Sequence, residues 1–118
     1  MSLDVMLTVP KPGQRANSVS QETMELYWSN ITHNLNEMAK EAGVYNHLWR
    51  PEEIGIEKAH QLIEPLTAAV TLMKRDRARF EAFNAPNGWG TYRDFIPWIE
   101  EYIEACRSWP EADVSVSR

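Results

Sequence analysis

Apolar residues recur at helical spacing over three stretches of this chain, and they alternate with polar residues over two short stretches near its ends. The first helical stretch carries Met24, Tyr27, Trp28, Ile31, Leu35, Met38 and Ala42. That spacing predicts an amphipathic helix capped by Ser18 or Ser20, with Glu22 near its amino end, running to Ala42 and closed by Gly43. The second covers residues 57–74, with Ala59, Leu62, Ile63, Leu66, Val70 and Met73 on one side and Pro65 predicting a kink. The third carries Phe95, Trp98, Ile99, Tyr102 and Cys106 behind a Thr91/Asp94 start that resembles an acidic capping box, and Pro110 ends it. Residues 76–83 predict a further short helix, and Pro51 followed by Glu52 and Glu53 predicts a helical turn within a connector over residues 44–55.

The alternating stretches are residues 3–9, where Val5, Leu7 and Val9 alternate with Asp4, Met6 and Thr8, and residues 114–117. Pro10, Pro12 and Gly13 stop the first and open a polar loop reaching about Ser18. Neither strand is stable alone, so the two are expected to pair with each other and pack on the helices. The prediction is a mainly helical α+β fold with three long helices, short helical turns and a small sheet of terminal strands. At 118 residues the chain has the length of one domain, 1–118.

Composition changes this picture in two ways. Five Trp stand beside four Tyr and three Phe, a bias toward aromatic groups that combine a large apolar body with a polar handle. The formal net charge of −5 argues against a nucleic-acid groove, which needs concentrated basic surface. The one basic cluster, Lys74, Arg75, Arg77 and Arg79, is broken by Asp76 and reads as a solvated helix face. A lone Cys106 leaves no internal disulfide and suits a reducing cytoplasm. With no signal-peptide pattern and no long apolar run, no membrane partner is expected.

Candidate chemistry is sparse. His33, His47 and His60 are well separated, His33 is expected to face solvent, and no metal-ligand or nucleotide-loop spacing occurs, so no cofactor and no catalytic residue is assigned. Two places nevertheless stand out. Asn30, Thr32 and Asn34 are mediocre helix formers set in the middle of an expected helix, which points to a role other than propensity. On the helical wheel Asn30 and Asn34 lie at one margin of the apolar stripe, beside Tyr27, and Thr32 at the other. Residues 84–90, Asn-Ala-Pro-Asn-Gly-Trp-Gly, are the strongest loop signal, with a tight turn at Pro86-Asn87-Gly88 and Trp89 between glycines. Two readings are open. The amides anchor the loop or the terminal strands to the fold, or they line a pocket whose walls are Trp89 with Tyr27 or Tyr92. The candidate ligand residues are therefore Tyr27, Asn30, Thr32, Asn34, Asn87, Trp89 and Tyr92. Trp89 and Trp49 are each open to reading as a core plug or as a binding residue.

The Asn-x-Thr-x-Asn run at 30–34, the Pro-x-Asn-Gly-Trp-Gly loop and the closing Val-Ser-Val-Ser-Arg at 114–118 together resemble a family of small uncharacterised phage, prophage and actinobacterial proteins. The resemblance implies a protein of the bacterial cytoplasm, or of the host cytoplasm if phage-encoded, and brings no established activity. From residues and resemblance together the expectation is a non-enzymatic protein binding a small polar ligand such as a nucleotide, sequestering a host signalling molecule in an anti-defence role. The alternative is a protein–protein interaction module or inhibitor of a host protein, using acidic and Trp-bearing surfaces. A homo-oligomer is compatible with either.

Overall fold

A computed structural model describes residues 2–10 and 23–118. Strand β1 (Ser2–Pro10) sits at the centre of a three-stranded antiparallel sheet, between β2 (Thr23–Thr32) and β3 (Asp113–Ser117). The chain then turns through a 3-10 segment, His33–Leu35, into helices α1 (Asn36–Glu41) and α2 (Tyr45–Trp49), and a second 3-10 segment, Pro51–Ile54. Two long helices follow, α3 (His60–Arg75) and α5 (Tyr92–Ser108), joined through the short α4 (Arg77–Glu81) and the loop over 84–90.

The pairing of the terminal strands is as expected, with Val5 opposite Val116 and Leu7 opposite Val114. The third strand is a correction. Residues 23–32, read as part of a long helix running to Ala42, form β2, and of that expected helix only Asn36–Glu41 are α-helical among the described residues. Among the described residues the sheet therefore has a strand more, and the long helices are two rather than three. The capping serines Ser18 and Ser20, Glu22 and the polar loop lie outside the described residues.

The physical reason for the misreading lies in one bulge. Tyr27 faces Leu7, but the next pair is Thr8 with Glu25, so Leu26 is an extra residue. The bulge leaves Leu26 and Tyr27 both half-buried and breaks the two-residue alternation that would mark a strand. With alternation hidden, the remaining apolar positions fit a helical period. Thr23, Tyr27, Trp28, Ile31 and Thr32 are nevertheless the β-branched and aromatic types that a pleated surface favours.

One face of the sheet is apolar. Leu3, Val5 and Leu7 are wholly buried, and they pack with Ile31 against a core built from Leu62, Leu66, Met73, Phe95, Ile99 and Tyr102. The opposite face carries Asp4, Met6, Trp28, Asn30 and Ser115, half-buried or exposed. α3 and α5 form the helical layer, and α3 continues as one helix through Pro65. Cys106 is buried on α5, where burial pushes its thiol up to about 12. Three members of the basic cluster pair with acids: Lys74 with Glu100, Arg77 with Glu81, and Arg79 with Glu41 and Asp76. Among the described residues no helix is long and apolar enough to cross a membrane.

Trp49 is a core plug, 1% exposed. Its ring stacks on Tyr45 at 5.5 Å, and its Nε1 donates to His33 Nδ1 at 2.8 Å. His33, expected on a solvent face, instead serves as the acceptor for a buried indole. From the far end of the chain, Arg118 donates to the Trp49 carbonyl at 2.8 Å and to Glu52 at 2.6 Å. This contact holds the Glu52 carboxyl below its ordinary value. Arg118, just past β3, is thus tied to the segment around Trp49 and Glu52.

Candidate functional site

The site begins with β2. In a strand, residues two apart share a face, so Asn30 and Thr32 both lie on the outer side of the sheet, opposite Asp4 and Ser2, while Ile31 between them is buried. Thr32 then ends the strand as the cap of the 3-10 turn, its Oγ1 accepting the Asn34 N–H at 3.3 Å. That turn swings Asn34 to the same side as the other two.

Against this end of the sheet sits the loop over 84–90. The Gly88 N–H donates to the Ala85 carbonyl at 3.0 Å, closing a turn with Pro86 and Asn87 at its centre. Asn87 Oδ1 accepts the Trp89 N–H at 3.0 Å, and Asn84 Oδ1 accepts the Tyr92 N–H at 2.7 Å. Both ends of the loop are therefore fixed by its own asparagines. Its docking depends on Gly90, whose φ is +118°. A Cβ built there would lie 2.9 Å from Asn34 Cβ and 3.2 Å from Thr32 Cγ2. Only glycine allows the loop so close to β2. Across the contact Asn34 Nδ2 donates to the Trp89 carbonyl at 2.7 Å.

The two elements do not close completely. They leave an open cleft of about 670 Å³, floored by Ile31 and Leu35 and walled by Asn30, Thr32 and Asn34 on one side. The other wall is Asn87, Gly88, Trp89 and Gly90, with Asp94 and Trp98 from the first turns of α5. Asp94 and Trp98 are four residues apart on one helix, so both face the cleft. Trp89 is 72% exposed.

Polar groups here are partly committed. Asn30 Nδ2 donates to Asp4 Oδ1 at 2.6 Å, as Asn34 Nδ2 does to the Trp89 carbonyl. Among the described residues, neither amide oxygen receives a hydrogen bond. Asp94 caps α5 with Thr91: its N–H donates to Thr91 Oγ1 at 3.3 Å, and its Oδ2 accepts the Thr91 hydroxyl at 3.1 Å. The indole Nε1 of Trp98 is buried with no acceptor among the described residues.

Of the candidate ligand residues, Asn30, Thr32, Asn34, Asn87 and Trp89 line the cleft together. Tyr27 does not. Its separation from Asn30 is three, which shares a face in a helix but puts the two on opposite faces of a strand. Tyr27 accordingly lies on the inner side, stacked on Tyr102 at 5.7 Å, with its hydroxyl 3.4 Å from Glu101. Burial, first among the causes, pushes Tyr27 up to about 12. Tyr92 is also outside the cleft, because the first turn of α5 aims its ring inward, where the Arg77 guanidinium covers it at 5.3 Å. Sequence reasoning missed Asp94 and Trp98. The signal was present in their four-residue spacing just after the Trp89 loop, but Trp98 was assigned wholly to the core and Asp94 to capping.

Among the described residues no group of three or more His, Cys, Asp or Glu side chains is placed to hold a metal ion. Compared with known proteins, the chain matches no protein family, no curated protein and no solved structure.

Proposed function

We propose that this chain is a non-enzymatic binding protein that holds a small polar ligand in the cleft between the Asn30/Thr32/Asn34 end of β2 and the Trp89 loop. One observation carries the reading. Each of the two amides uses one N–H to build the site, and their oxygens have no donor among the described residues, beside an indole that is 72% exposed. Apolar walls with a few convergent polar groups are the ordinary composition of a small-molecule site. On the phage or prophage origin that the resemblance implies, such a protein would act by sequestering a host signalling molecule.

Thermal shift against a panel of nucleosides, nucleotides and small amines tests this. A ligand that binds only the native state raises the melting temperature with its concentration. Asn34→Ala together with Trp89→Ala is expected to abolish that rise while leaving a cooperative unfolding transition. A panel with no active member would contradict the reading.

A second reading rests on a different observation. Trp28 is 52% exposed on the outer face of β2, and Met24 on the same strand, an edge of the sheet among the described residues, is 41% exposed. An edge strand bearing an exposed Trp is a surface for a protein partner. Co-purification of a stoichiometric host protein that is lost in Trp28→Ser would favour this interaction module over the cleft.

A further inference from the structure

Resting on the cleft being a binding site, we infer that its occupant is an organic cation, an amine or guanidinium on a hydrocarbon body, and not a phosphate ester. Three features of the walls lead there. The first is charge. Asp94 lines the cleft, Asp4 stands one hydrogen bond behind Asn30, and no Lys or Arg lines it among the described residues. A phosphate held in such a place would face carboxylates without a counter-charge.

The second is the start of α5, which is where an anion would otherwise bind. Two of its donors are already taken: the Tyr92 N–H by Asn84 and the Asp94 N–H by Thr91. The carboxylate of Asp94 itself occupies the first turn, so the protein supplies its own anion to the helix dipole. The third is the balance of hydrogen-bonding groups. Asn30 Oδ1, Asn34 Oδ1 and Asp94 Oδ1 are acceptors with no donor among the described residues, while each of the two amide nitrogens has spent one of its two N–H groups on the protein. A guest that brings donors beside Asp94 finds three such acceptors, while the buried Trp98 Nε1 offers a neutral donor and no counter-charge for an anion. Trp89 and Trp98 add two indoles to the lining, and an indole face attracts a cation more strongly than any other side-chain ring.

The experiment titrates the full chain with agmatine, adenosine and AMP, following melting temperature and calorimetric heat. Agmatine is expected to bind saturably, AMP not at all. Asp94→Asn keeps the size of the side chain, and is expected to weaken agmatine by about tenfold or more through loss of a charge-assisted hydrogen bond. Trp89→Ala is expected to weaken agmatine as well. Agmatine binding that survives Trp89→Ala undiminished is diffuse attraction to an acidic protein and overturns the inference. Binding of AMP or adenosine without agmatine overturns the cation class but leaves the cleft as a binding site. No agmatine binding likewise overturns it, and the wider panel then decides separately whether the cleft binds anything.

Discussion

Trp49 and Trp89 carry the same side chain into opposite settings. At Trp49 the protein answers the side chain as well as the backbone: the indole N–H by His33 and the carbonyl by Arg118, while the ring is buried against Tyr45. At Trp89 the backbone alone is answered, its N–H by Asn87 and its carbonyl by Asn34, and the ring is left to solvent. The first arrangement stabilises the fold. The second fixes the position of a ring that contributes little to the fold, at the rim of a cleft with acceptors to spare. The difference separates residues that hold the structure from residues that the structure holds out.

Substitutions should break this contrast unequally. The largest effect is expected for Trp49→Ala, which removes a buried ring and should lower stability by about 3–5 kcal/mol in urea denaturation. His33→Ala should cost roughly 1–3 kcal/mol, because it strands the Trp49 N–H in the core without an acceptor. Gly90→Ala should cost about 1–3 kcal/mol from the strained backbone, the new methyl also pressing on Asn34. Its distinguishing sign is faster amide exchange at Gly88 and Trp89 as the loop lifts from β2. Trp89→Ala should change stability by no more than about 0.5 kcal/mol, as exposed substitutions do. If it instead costs as much as Trp49→Ala, the two settings are not distinct.

The smallest signal is spectroscopic. Tyr27 is raised from 10.0 to about 12, so the folded state favours its neutral form. Its contribution to stability is complete below pH 10 and is lost as pH rises toward 12. Tyr27→Phe should remove that part of the alkaline fall in melting temperature and delete the matching late step in absorbance at 295 nm.

Much of this was legible in the residues. The terminal strands announced themselves by alternation, and α5 by its Thr91/Asp94 cap and apolar register. α3 was legible from its stripe of Leu62, Leu66, Val70 and Met73. β2 was not, because the extra residue at Leu26 sets two neighbouring apolar side chains side by side, and beyond it a polar Ser29 stands opposite Val5 while the apolar Trp28 faces out. That error had a specific consequence for the site. A helix separates Thr32 from Asn30 and Asn34 and places Tyr27 beside them, whereas the strand gathers all three polar residues and removes Tyr27. The suspicion that these residues were unsuited to a helix interior was sound, and its simplest cause was that most of the segment is not a helix. Asp94 and Trp98 were hidden for another reason: capping and packing already accounted for them, and nothing in a sequence shows that one face of a core helix ends at an open cleft.

The most direct test follows the two groups on which the binding account turns, the Asn34 side-chain amide and the Trp89 indole N–H, by ¹⁵N-resolved NMR of the intact chain during agmatine addition. The account predicts that both resonances move together and saturate, while the Trp49 indole N–H, locked on His33, stays in place. Movement confined to Trp28, or an unchanged Asn34 and Trp89 while the rest of the spectrum shifts, would contradict it.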